Sequence, residues 1–150
     1  MASSCDTLPL GSGEKGTNQK LLPFDTGIFL TELGLSAGDI LGATAFDELN
    51  KGNLAEIAAG LELLKASDPY SEAGLYYWYR SGANAEVDYA VQRNREIIPI
   101  EVKASVKGGM KSLHSFLETH ASSYGIRVSL ENYASYDRIR VVPLYAVCGI

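Results

Sequence analysis

The sequence predicts an α/β fold of the α+β kind, a mixed β-sheet flanked by helices, and three observations carry that prediction. A helix-period stripe at Leu54, Ile57, Leu61 and Leu64 precedes three strand-like segments, Leu75 to Arg80, Glu86 to Gln92 and Ile97 to Lys103. Gly82 and Asn84 mark a first turn between these segments, and Arg93-Asn94-Arg95 a second, so two consecutive hairpins are expected. A further helix and two closing strands follow, which gives the order helix, three strands, helix, strand, strand.

The 150 residues suit one domain large enough to bury a real core. Hydrophobic residues at 46% and charged residues at 21% are ordinary for a globular chain. No apolar run approaches the roughly 18 residues of a membrane span, so no membrane role is expected. The start, MASSCDTLPLGSGEKG, lacks a charged region followed by an apolar one and does not read as a secretory signal. Cys5 and Cys148, at opposite ends and with no metal-ligand spacing, read as free thiols of a cytoplasmic protein. The formal charge of −5 argues against nucleic-acid binding. Against it stands a late concentration of positive charge at Lys103, Lys107, Lys111, Arg127, Arg138 and Arg140.

Taken in order, residues 1–19 are rich in Gly, Ser and Thr and read as a flexible arm or linker before a single domain, 20–150. Within the arm, GSGEKGT reverses the Gly-Lys order of a Walker loop and follows no strand. Leu21 to Leu33 reads as a short extended piece and then a helix begun at Asp25 or Thr26, with Ile28, Phe29 and Leu33 toward the core. Asp39 to Leu49 is a second helical segment, ending at a Lys51-Gly52-Asn53 break. Asn53 then reads as the N-cap of LAEIAAGLELLKA. At about 100° per residue, Glu56 falls on the side of Gly60 and Leu63 rather than on the solvated side. Pro99 in the third strand suggests an edge, a strand start or a bulge. Gly108-Gly109 opens a helix through about His120 with Leu113, Phe116 and Leu117 buried, and strands are expected near Ile126 to Leu130 and Ile139 to Val147.

The stretch AEVDYAVQRNREIIPIEVKA, residues 85–104, carries the chemistry. Strand alternation sends Glu101 and Lys103 one way and Val102 into the core. It likewise groups Glu86 with Asp88, and Val87 with Tyr89 and Val91. An acid-acid-lysine cluster on one face suits a divalent metal beside a cation, the requirement for hydrolysing a phosphodiester. The plain alternative is an exposed cross-strand charge pair of little energetic worth. His114 and His120 are six apart and do not share a helix face. No Gly-x-Ser-x-Gly elbow appears. Strand alternation makes Tyr76, Tyr77, Trp78 and Tyr79 half core and half cross-strand cover, more simply than a base-stacking platform.

The order helical Glu56, strand Asp88, then Glu101-x-Lys103 resembles the PD-(D/E)XK nuclease superfamily. The flanking text KLLPFDTGIFLTELG, NLAEIAAGLELL, YYWYRSGANAEVDYAV, IIPIEVKA and VVPLYAV is similar to the C-terminal domain of a prokaryotic AAA+ ATPase family. That domain is of unknown function and classed as PD-(D/E)XK nuclease-like, and the similarity runs from about Leu8 onward. The resemblance implies a restriction-endonuclease-like fold acting on DNA, with an ATPase as preceding region or as partner in trans. It implies that Asp88 and Glu101 hold Mg²⁺ (or Mn²⁺) and that the Val102 carbonyl completes the coordination. Lys103 would orient or deprotonate a water and touch the scissile phosphate. Glu56 would support the site from its helix, with Glu86 as an auxiliary ligand. The competing expectation is a catalytically inactive nucleic-acid-binding or ATPase-regulatory module of the same fold. Oligomeric state is not legible in the sequence.

Overall fold

In chain order the described residues form β1 (Ala2–Ser4), β2 (Lys15–Lys20), α1 (Thr26–Glu32), α2 (Glu48–Lys65), β3 (Leu75–Arg80), β4 (Ala85–Arg93), β5 (Glu96–Val102), α3 (Lys111–Thr119), β6 (Gly125–Ser129), β7 (Ala134–Tyr136), β8 (Ile139–Pro143) and a 3₁₀ turn, Leu144–Gly149. This computed structural model describes residues 1–13, 15–36, 38–39, 48–70, 74–80, 82, 85–106 and 108–150. Its eight strands make one mixed sheet in the order β2-β1-β3-β4-β5-β6-β8-β7. The hairpins β3-β4 and β4-β5 are antiparallel. β1 runs parallel to β3, β6 to β5 and β8 to β6.

Helices cover both faces. On one, Ala55, Ala59 and Leu63 of α2 meet Tyr89, Ile98, Ile100, Val102, Ile126 and Val128. On the other, Phe116 of α3 joins Trp78, Val87, Ala90 and Ile97, its ring edge-on to Trp78 at 5.3 Å between centroids. Leu113, Phe116 and Leu117 are the buried residues of α3, as its periodicity predicts. Each large side chain so buried contributes roughly 1.5–3 kcal/mol.

Several elements differ from the sequence reading. α2 begins at Glu48, so Lys51-Gly52-Asn53 lies inside a continuous helix and Asn53 is not its N-cap. Packing against the sheet outweighs the ~1 kcal/mol that Gly52 costs a helix. The buried stripe is also rotated, running through Ala55, Ala59 and Leu63, with Leu54, Ile57, Leu61 and Leu64 only partly covered. Small residues let the helix backbone approach closely: a Cβ on Gly60 would collide with the Tyr89 hydroxyl and lie 2.7 Å from its Cζ. The expected segment Asp39 to Leu49 falls mostly outside the described residues.

α1 starts at the Asp25 cap, whose carboxylate accepts N–H bonds from Gly27 (2.7 Å) and Ile28 (3.0 Å). It buries none of its residues, and Ile28 and Leu33 are exposed rather than seated on the core. A seven-residue helix at the rim has too little apolar partner surface to cover both faces. The arm expected over residues 1–19 carries β1 and β2, with Ala2 and Ser4 buried. Backbone pairing to β3, which composition does not announce, draws them in. Pro99 lies in a central strand, opposite Ala90. It stands one residue before the ladder with β6, which pairs Ile100 to Val102 with Ile126 to Val128. The last strand stops at Pro143 and turns into the 3₁₀ segment instead of running to Val147. β7, an added edge of three residues beside β8, is too short to show a pattern in the sequence.

Candidate functional site

The site begins with a break in strand alternation. Tyr76 pairs with Ala90 but Trp78 pairs with Val87, so three residues of β3 face four of β4. This bulge puts Val87 with Trp78 and Phe116 under α3, while Tyr89 packs under α2. The expectation that Val87, Tyr89 and Val91 share a face fails for Val87, because the extra residue flips the phase. Asp88 and Tyr89 therefore both serve the α2 side.

The β4-β5 ladder ends at Tyr89 opposite Ile100. Beyond it the strands part, and the Asp88 carboxylate fills the gap, its Oδ2 accepting the Val102 N–H at 2.7 Å. α2 delivers Glu56 to the same place, anchored by a bond from the Tyr89 hydroxyl to the Glu56 carbonyl at 2.8 Å. A cleft of about 420 Å³ opens here, lined by Lys51, Gly52, Asn53, Glu56, Asp88, Val102, Lys103, Ala104 and Ser105. Three of the residues singled out from the sequence for their side chains, Glu56, Asp88 and Lys103, thus share one cavity, with the Val102 backbone beside them.

Glu101 does not line that cavity. Ile98, Ile100 and Val102 pack under α2, so alternation turns Glu101 to the other face, level with Arg127 on β6. It is 5% exposed, and Oε1 is 2.8 Å from the Lys103 ammonium. Its Oε2 and the Arg127 Nε are buried with no hydrogen-bond partner. Arg127 donates to the Val106 carbonyl at 2.8 Å, tying β6 to the loop after Lys103. Lys103 is the link between the two faces, bound to Glu101 and open to the cleft that holds Asp88.

The largest departure from the sequence reading is Lys20. From the end of β2 its ammonium reaches Glu56 Oε1 at 3.0 Å and Asp88 Oδ1 at 3.9 Å, and it contacts Glu86 Oε1. It also lies 4.9 Å over the Tyr77 ring. Nothing local marks a lysine in KGTNQK as part of a site 36 residues from Glu56. Arg127 did carry a signal, a charged residue in the short strand GIRVS, every residue of which is buried. Among the described residues, no group of three or more His, Cys, Asp or Glu side chains is gathered so as to hold a metal ion.

Charge crowding shifts the acid–base equilibria of the site. Burial, then the neighbouring Glu56 carboxylate, push the Asp88 carboxyl from 3.8 up to about 7, against the opposing pull of the Val102 N–H, Lys20 and Lys103. Desolvation acts to lower the Lys20 ammonium, but Glu56, Glu86 and Asp88 together hold it above the usual lysine value. Lys103 is likewise held above that value, desolvation being outweighed chiefly by Glu101. The cluster is a desolvated, net-acidic pocket short of positive charge.

Among the described residues, no helix is long and apolar enough to cross a membrane. No curated protein and no solved structure matches the chain. A sequence family described as a domain of unknown function (DUF4143) matches residues 51–147. The chain belongs to that family.

Proposed function

We propose that this DUF4143 domain is a metal-dependent nuclease-like domain of the PD-(D/E)XK type, with a restriction-endonuclease-like sheet, acting on DNA phosphodiesters and coupled to an AAA+ ATPase. The observation that supports it most is the meeting of Glu56, Asp88 and Lys103 at the parted end of β4 and β5, in a cleft of about 420 Å³. The sequence resemblance supplies the nuclease class and the ATPase association.

The oxygen donors are of the type Mg²⁺ or Mn²⁺ takes, although among the described residues no three are gathered as a ligand set. The carboxylates of Glu56, Glu86 and Asp88 are hard oxygen donors that already surround one cation, the Lys20 ammonium. Asp88 and Glu56 would hold the ion, with the Val102 carbonyl as a further oxygen, while Glu101, on the other face of the sheet, reaches the site only through Lys103. When bound, such an ion neutralises charge on a phosphate and makes water a better nucleophile near neutral pH. Lys103 presents its ammonium to a phosphate in the cleft, and Glu101 aims it. The helix-anchored Glu56 keeps its carboxylate fixed against Asp88. The Asp88 bond to the Val102 N–H holds the mouth of the hairpin open.

The assay is incubation with supercoiled, single-stranded and branched DNA in Mg²⁺ or Mn²⁺. Cleavage that disappears in Asp88→Ala and Lys103→Ala is the expected result. Equal activity in the wild type and both variants refutes this function. A second reading, an inactive nucleic-acid-binding or ATPase-regulatory module, is favoured by the absence of Glu101 from the lining of the cleft. It predicts DNA or ATPase binding that persists when Asp88 is replaced.

A further inference from the structure

On the face covered by α2, strand alternation brings Val91, Tyr124, Ile126 and Val142 into one cluster. The same alternation carries Arg93 two residues past Val91 and sets Arg140 two residues before Val142, at the end of that face. There both arginines line a cavity of about 300 Å³ with Tyr124 and Tyr133, floored by Val91, Ile126 and Val142. Asp88 lies toward the opposite end of β4, roughly 17 Å along the strand from Arg93. The cavity is therefore a separate place from the acidic cleft.

Its chemistry is the reverse of that cleft's. The Arg140 guanidinium lies 3.7 Å over the Tyr124 ring, which fixes its plane at the cavity wall. Tyr133 is 67% exposed at the rim. Arg93 donates to the Ile150 carbonyl, which anchors the side chain and uses one of its five N–H donors. Among the described residues no acid lines the cavity. Glu96, opposite Arg93 in the ladder, gives its carboxylate to the Ser123 N–H at 2.9 Å. A single arginine on a tyrosine is common surface packing. Two guanidinium groups and an uncovered phenol ring around one apolar floor, in a chain of net charge −5, go beyond such packing. Guanidinium planes and aromatic rings stack on bases, and guanidinium N–H groups bind phosphate oxygens.

We propose that this pocket binds a nucleotide unit: an unpaired base stacks against Tyr133 and the Tyr124–Arg140 pair, and its phosphate is held by Arg93 and the edge of Arg140. The inference deepens the DNA reading above by giving the domain a hold on an unpaired strand, and it needs neither a metal ion nor cleavage. Single-stranded DNA and a free nucleotide present the same base and phosphate, and the test separates them.

The test is fluorescence anisotropy of a labelled oligothymidylate with the full chain in EDTA, comparing wild type, Tyr133→Ala, Arg140→Gln and Arg140→Lys. Both side chains are exposed, so the replacements leave the fold intact. Tyr133→Ala should weaken binding about fivefold or more. Arg140→Gln should weaken it about tenfold and lower the slope of log affinity against log salt by about 0.7. Arg140→Lys should keep the wild-type slope and still bind less tightly, because an ammonium has no plane to stack. Thymidine 5′-monophosphate should displace the strand where thymidine or inorganic phosphate at the same concentration does not. Tighter binding of the strand than of the mononucleotide assigns the pocket to an unpaired strand, and equal affinity assigns it to a free nucleotide. Displacement by phosphate alone, or duplex bound as tightly as single strand, overturns the proposal. Binding that survives Tyr133→Ala and Arg140→Gln but is lost in Lys103→Ala also overturns it, and leaves the nuclease reading standing. Pocket-dependent binding without cleavage in the DNA assay upholds the pocket and counts against the nuclease.

Discussion

Replacing Asp88 by asparagine should stabilise this protein at alkaline pH, although it removes a charge from an ion-paired cluster. The amide keeps an oxygen for the Val102 N–H and resembles the protonated acid. In the fold the carboxyl sits at about 7 instead of 3.8. Its folded-state value is raised, so between about pH 4 and 7 the folded chain binds the proton that the unfolded chain has released. Stability therefore falls as pH climbs through that window, and the loss is complete above it. A rise of about 3 pH units at 1.36 kcal/mol each sets an upper value of roughly 4 kcal/mol. The side chain is 17% exposed and keeps some hydration, so about 2 kcal/mol is the change to expect. At about 2–4 °C per kcal/mol for a domain of this size, Asp88→Asn should melt roughly 4–8 °C above wild type at pH 8 in EDTA. The two should converge near pH 5. Thermal melts followed by circular dichroism across that range provide the measurement. A variant that melts no higher at pH 8, or a gap independent of pH, refutes the argument. Added Mg²⁺ should raise the wild type and leave the variant unmoved.

Other expectations follow from the packing. Gly60→Ala should cost about 1–3 kcal/mol in urea unfolding despite alanine's better helix propensity, because its methyl group meets the buried Tyr89 ring. Tyr89→Phe should cost about 1 kcal/mol through loss of the 2.8 Å bond to the Glu56 carbonyl, read in the same assay. Phe116→Ala, which empties the fully buried contact with Trp78, should cost about 3–5 kcal/mol. Arg127→Met breaks the bond to Val106, so amide exchange in the loop after Lys103 should accelerate while exchange in α2 is unaffected.

Much of the candidate site was legible because it depends on short-range rules. The D…ExK pattern sits on a hairpin whose turn residues and alternation set its pairing. Glu56 was picked out by helix angle alone, and it does lean toward Gly60 and the sheet. The same rules misplaced Val87 and Glu101 relative to Asp88, because one inserted residue in β4 shifts the phase and a period-two pattern cannot register it. They also began α2 too late, since a glycine's local penalty is small beside the burial of Ala55, Ala59 and Leu63.

By itself, then, the sequence determined the types of the central elements, the two hairpins and most of the residues that gather at the cleft, all consequences of periodicity, turn preference and side-chain type within a few residues. Only the tertiary structure decided the eight-strand order, the capture of β1 by β3 and the arrival of Lys20 among Glu56, Glu86 and Asp88. Those outcomes depend on backbone pairing and on charges distant along the chain. Their energies are set by which desolvated groups meet across the fold, and no local pattern encodes that.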